Sequence, residues 1–168
     1  ATTVRVTNPS VSPTAALTGL TTGTYDFRVW TRGTNDSSGS SISLLNQNID
    51  ATAPTVSGTA FSTTPTFGNT YALGDTATVQ VTFSETVTVS GAPRIPITGM
   101  AGKYFTYSSG SGTPILSFSY VVQSGDLNST GLGVGSSTLE LNSGSIKDAA
   151  LNDAQLSNQA ISASALQK

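Results

Sequence analysis

The chemistry open to this chain is narrow. Its 168 residues carry nine carboxylates and seven basic groups, with no histidine and no cysteine. Without histidine there is no common general base, no Ser–His triad and no usual zinc or copper ligand. Without cysteine there is no thiol catalysis and no Cys-ligated zinc. Oxygen donors remain. Asp50, Glu85, Asp148, Asn152 and Asp153 form a set that could hold calcium, which takes roughly six to eight oxygens from carboxylates, carbonyls and water. The same side chains could instead cap turns, because Asp and Asn readily bond nearby backbone amides in loops. Glu85 with Asp148 could also be read as the acid–base pair of a glycosidase. No aromatic-lined cleft surrounds them in the sequence, however, and no residue is assigned a catalytic or cofactor-binding role. Trp30 lies on the outward parity of its strand with Asp26 and Arg28. There it could contact a sugar or protein ligand, or cover a seam between modules. Lys103 and Lys147 are the internal lysines, and an isopeptide link to an asparagine, assisted by Glu85 or Glu140, would expel ammonia and lower the mass by about 17 Da.

Those residues need a scaffold, and the pattern predicts an all-β one. Charged residues make up 10% of the chain, well below the roughly 25% of ordinary domains. Yet the net charge is only −2 and apolar residues alternate, which is not the signature of disorder. Val79, Val81 and Phe83 alternate with polar residues, as do Leu116, Phe118 and Tyr120, so each strand buries one face. Tyr25, Phe27 and Val29 share another face. Strand signals recur about every ten residues between Gly, Asn, Ser and Pro clusters, the rhythm of a sandwich. Helical periodicity is hard to find: only Asp148–Leu156 and the tail Ala160–Lys168 could make a turn or two, and both look more like loop and fraying end. The basic residues are too few and scattered to track phosphates, which argues against nucleic acid. No apolar run approaches the roughly 20 residues of a bilayer span. Arg5 interrupts the first residues, so an export signal would lie upstream of them.

Composition shifts at Asn48–Pro54, where Pro54 holds Ala53 extended. The expected organisation is therefore a partial β module at 1–50, a complete sandwich at 51–163 and a tail at 164–168. The second module counts out as seven strands, Thr55–Ser62, Thr76–Ser84, Pro93–Ile97, Tyr104–Tyr107, Ile115–Val122, Ser137–Leu141 and Ala154–Ile161. Seven is the number a Greek-key sandwich needs. In that topology the linker and the loops after strands two, four and six share one end. Those positions hold Asp50, Glu85, the Ser108–Gly112 turn, Asp148, Asn152 and Asp153. The first 50 residues supply only Val4–Thr7, Ala15–Leu20, Thr24–Thr31 and Ser41–Gln47, too few for an independent sandwich.

Two stretches resemble known families. Gly74–Val87, then Tyr107–Gly112, Leu116–Val122, Gly125–Asp126 and Gly144–Asn152 follow the order found in bacterial immunoglobulin-like repeats of large surface proteins and adhesins. The resemblance covers most of residues 53–155. Leu151 departs from it, since the family usually has Gly there and a left-handed turn at Leu is strained. Leu17–Val29 resembles the second half of a fibronectin type III-like module, which would place Tyr25 where its hydroxyl can tie down a corner.

These resemblances imply an immunoglobulin-like Greek-key sandwich preceded by a partial one. They imply a non-catalytic structural or adhesive module of a secreted or cell-surface bacterial protein. Its partners would be neighbouring modules or identical chains, with a surface glycan or protein as a possible ligand. Calcium would brace the junction, as in calcium-stiffened repeats. Two other readings stay open. One is an extracellular fibre subunit completed by strands from a neighbouring chain, and the other is a carbohydrate-binding module.

Overall fold

A computed structural model describes residues 18–32, 38–158 and 160–163 of the chain. It divides into two compact units between Thr52 and Ala53. Every described element is a β-strand, and every pairing between strands is antiparallel.

The first unit contains a hairpin of β1 (Gly23–Arg32) and β2 (Ser38–Ile49). Tyr25 and Phe27 are half-buried and alternate with exposed Thr24, Asp26 and Arg28. Their rings stack at 6.1 Å. Tyr25 pairs with Gln47 and Phe27 with Leu44, so one residue of β1 stands opposite two of β2. That bulge puts Asn46 at φ 54°, a conformation asparagine tolerates well. The Asp26 carboxylate accepts its N–H at 2.8 Å. The Tyr25 hydroxyl donates to the Thr21 carbonyl at 2.9 Å and pins the start of the hairpin. Of the other expected strands here, Val4–Thr7 lies outside the described residues. Ala15–Leu20 does so except for residues 18–20, which are not in a strand.

The second unit is a β-sandwich. Its sheet runs β3 (Val56–Phe61), β4 (Thr76–Ser90), β7 (Thr113–Val121), β6 (Tyr104–Ser109), β5 (Arg94–Pro96), and β8 (Ser145–Lys147) pairs with the far half of β4. The inward residues of β4, Ala77 through Phe83 at every second position, are buried with Leu116, Phe118, Ile95, Phe105 and Ile146. The aromatic rings meet edge to face, Phe105 with both Phe61 and Tyr120, and Tyr107 with Phe118. Such contacts add to the stabilisation from area burial.

Two of the seven expected strands are not strands. Ser137–Leu141 begins with Ser137 at φ 55°, which ends extended pairing. The Asn158 carboxamide oxygen accepts the N–H groups of Thr138 and Leu139, and the segment meets β5 through a single bridge, Glu140 with Arg94. Among its described residues Ala154–Ile161 makes isolated bridges only, Thr55 with Gln155 and Val134 with Ile161. The alternation of Leu139 and Leu141 reflects burial against the core without a ladder. In their place β8 forms, three residues long, and β4 continues six residues beyond the expected end at Ser84.

The turns depend on glycine in two unequal ways. A side chain at Gly110 (φ +111°) would lie 2.1 Å from the Ile115 carbonyl oxygen, whereas Gly112 (φ +83°) opens onto free space. Gly112→Ala therefore costs about 1 kcal/mol, the conformational penalty alone. Gly110→Ala costs more than about 3 kcal/mol, because the β6–β7 turn must shift as well. Urea unfolding of the two variants measures the difference, and equal losses would show that the contact does not matter.

Candidate metal centre

The positions of Glu85 and Asp148 follow from one proline. Thr82 pairs with Ile115 and Val87 with Thr113, so Phe83–Thr86 of β4 stand opposite Pro114 alone. Proline has no N–H to give the ladder, and β4 bulges there. Glu85 sits in the bulge, half-buried. Beyond it β4 pairs with β8, Thr88 with Lys147 and Ser90 with Ser145. One step further along the same register sets Asp148 beside Val87, two residues from Glu85. Carboxylate oxygens of Glu85 and Asp148 lie within 4.8 Å of each other.

Asp148 is 3% exposed. Its Oδ1 accepts the Asn152 N–H and its Oδ2 the Asn152 Nδ2, both at 2.8 Å. Burial alone pushes this carboxyl up. The Asn152 side chain and the N–H groups of Asn152, Ala150 and Leu151 outweigh that effect and hold it below its usual value. The loop closes on itself, with Leu151 at φ 70°. The left-handed residue in this loop is a leucine, and it is 73% exposed. An exposed leucine loses little by this turn except backbone strain of about 1 kcal/mol.

The remaining predicted ligands are placed differently. Asn152 serves Asp148 as a donor through its amide nitrogen. Asp153 is ion-paired with Lys147 at 2.7 Å and is largely exposed. Asp50 belongs to the first unit, where its Oδ1 accepts from the Thr22 hydroxyl at 3.3 Å and from the Thr52 N–H at 3.0 Å. Trp30 pairs through its backbone with Ser41, and its side chain lies outside the described residues. Lys103 donates to Gln123 Oε1 at 2.7 Å, while Glu140 is bonded to Arg94 at 2.8 Å. An open hollow of about 330 Å³ beside Asp148 is lined by Thr88, Ser90, Ser145, Lys147, Ala149 and Leu151, with no aromatic ring.

A second polar cluster escaped the sequence reading. The Tyr120 hydroxyl and the Gln123 N–H both donate to Asp126 Oδ2, at 2.5 and 2.8 Å, and Lys103 lies 3.2 Å from its Oδ1. The Tyr120 hydroxyl foremost, then the Gln123 N–H and Lys103, holds the Asp126 carboxyl below its usual value against some desolvation. The inward parity of Tyr120 was the available signal, since a buried tyrosine needs a partner for its hydroxyl. Beside it a cavity of about 240 Å³ is bounded by Tyr71, Met100, Tyr120, Leu127 and Leu132.

Compared with models of known families, with curated proteins and with solved structures, the chain matches none.

The depressed Asp148 carboxyl fixes a pH dependence. Its folded value lies below its unfolded one, so its contribution is complete above about pH 4, the unfolded value. That contribution is lost as pH falls through the folded value. Asp148→Asn should therefore destabilise the protein at pH 7, and the gap to wild type should narrow below about pH 4. Thermal melts of both proteins from pH 2 to 7 test this. A gap independent of pH would assign the loss to shape rather than charge.

Proposed function

We propose that the chain is a non-catalytic, force-carrying module of a bacterial surface or secreted protein, built on an immunoglobulin-like sandwich. One observation carries the reading. The segment leading into β3 is bonded in parallel to a segment near the end of the same unit. Thr55 bridges Gln155 in parallel, and the Gln155 N–H donates to the Pro54 carbonyl at 2.8 Å. Ser84 of β4 donates to the Thr55 carbonyl, also at 2.8 Å, and Pro54 is buried. Tension drawing these two segments in opposite directions loads their bonds together in shear. A hairpin, by contrast, opens one bond at a time. The low charge and the Ser- and Thr-rich strands suit an exposed stalk.

Single-molecule stretching tests the reading. Gln155→Pro removes the N–H that bonds Pro54 and should cost about 1 kcal/mol of equilibrium stability. Its unfolding force should fall well below that of wild type. An unchanged force would remove the mechanical reading.

Calcium forms part of this proposal. Two carboxylates within 4.8 Å of each other offer a divalent cation two of the oxygens it takes. Calcium at a hundred times its dissociation constant should add about 2.7 kcal/mol of stability, and Glu85→Gln should abolish the gain. If calcium leaves the wild-type melting temperature unchanged, Asp148 is a loop cap only.

A second reading, the fibre subunit, is favoured by one feature of the hairpin. Ile42, Leu44 and Leu45 of β2 are 67%, 51% and 58% exposed, more apolar surface than a two-stranded sheet comfortably leaves in water. Strands from a neighbouring chain would cover it.

A further inference from the structure

The two outer edges of the sandwich sheet are treated unequally. At one edge β5 is three residues long and flanked by buried Pro93. Its outer side is also occupied, because Arg94 and Glu140 exchange both backbone bonds at 2.8 Å. At the other edge the Gln155 segment and buried Pro54 guard only the entry to β3, and β3 itself has the sequence Val-Ser-Gly-Thr-Ala-Phe, without a charge or a proline. Proteins ordinarily guard a sheet edge with lysine, proline or a covering loop. After a bulge at Ser57 the rest of β3 is regular.

The polarity of β3 can be read from its bonds to β4. Ser62 donates to the Thr78 carbonyl, Ser84 to the Thr55 carbonyl, and Ser57 Oγ to the Thr82 carbonyl. The even-numbered residues of β4 therefore face β3, and Gly58, Ala60 and Ser62 take the inward bonds. In an antiparallel ladder the alternate residues then point their backbone groups the other way. Those residues are Thr59 and Phe61. Among the described residues no backbone bond is made to them on that side.

We propose that β3 is a self-pairing edge: a second copy of this chain adds its own β3 antiparallel about a two-fold axis through Ala60. In this register each Thr59 N–H donates to the Phe61 carbonyl of the other copy, and each Phe61 N–H to its Thr59 carbonyl. All four outward groups of each strand are satisfied. Ala60 meets Ala60 and Gly58 meets Ser62 on the solvent face, where Ala60 and Ser62 are exposed, so small side chains pass without collision. No charge on either strand opposes the approach. A two-fold contact of this kind closes on itself. One six-residue strand offers a small contact compared with the roughly 1,200 Å² of stable complexes, so pairing is transient in dilute solution and fills when copies crowd together. The site is separate from the Glu85–Asp148 pair and holds whether or not the chain carries force.

Disulfide trapping of the full chain tests the register, because the native protein has no cysteine. Directly opposed residues of this type lie about 4.5 Å apart at Cα, within reach of a disulfide. Ala60→Cys should form a covalent dimer at least about tenfold faster than Ser62→Cys, whose partner in this register is Gly58. Ala60→Lys sets two like charges face to face and should weaken dimerisation of the otherwise native chain about tenfold in sedimentation equilibrium. Leu44→Asp on the hairpin should leave it unchanged. Equal trapping at positions 60 and 62 overturns the proposal, as does self-association removed by Leu44→Asp but not by Ala60→Lys. A chain that stays monomeric at millimolar concentration, with no trapping at position 60, overturns it too, whatever extended peptide the edge then accepts.

Discussion

The sandwich depends on a single strand being shared. β4 gives its first half to β3 and β7 and its last residues to β8. A strand can change partners only where its ladder is interrupted, and Pro114 supplies the interruption by withholding an N–H opposite Phe83–Thr86. The inward side chains before the break, Val79, Val81 and Phe83, and Val87 after it, are all buried. One strand thus feeds the same core from both sides of the bulge. Burial of these side chains is the main stabilising contribution, at about 1.5–3 kcal/mol each.

The bulge has a chemical by-product. It lifts Glu85 out of the ladder and leaves it near the residue that follows β8. Asp148 would be costly to bury alone, but the 148–152 loop turns its own amide groups onto the carboxylate. A buried charge is thereby held by a few residues of local sequence. The strained Leu151 is the cost of closing so short a loop around it.

Much of this was legible beforehand, and the reasons differ by residue. Period-two alternation marked β4 and β7 because each buries one face only. Glu85 and Asp148 do lie close together, but not through the order of the loops, since Glu85 lies inside β4 and the strand expected before Asp148 does not form. What misled was burial without pairing. Leu139 and Leu141 alternate as strand residues do, yet the backbone beside them is served by the Asn158 side chain. No short-range pattern announces a partner nineteen residues away. β8 was hidden for the opposite reason, since three residues with one buried isoleucine carry too little pattern to read. The Asp126 cluster was missed because its parts, Lys103, Tyr120 and Asp126, are polar groups from three places in the chain that only the tertiary fold assembles.

The division of β4 between distant partners bears on how the protein comes to be folded. Thr88 of β4 finds its partner at Lys147, far along the chain, while β3 lies just before β4. Pairings of such long range are slow to form, because the loop must be closed before any contact rewards it. During synthesis β3 and β4 can make at most a marginal hairpin until β7 has emerged to pair with the first half of β4, and the far end of β4 waits longer still, for β8. The strand that anchors the sheet is thus completed in two stages, its far end left without a partner until the chain beyond β7 has been made.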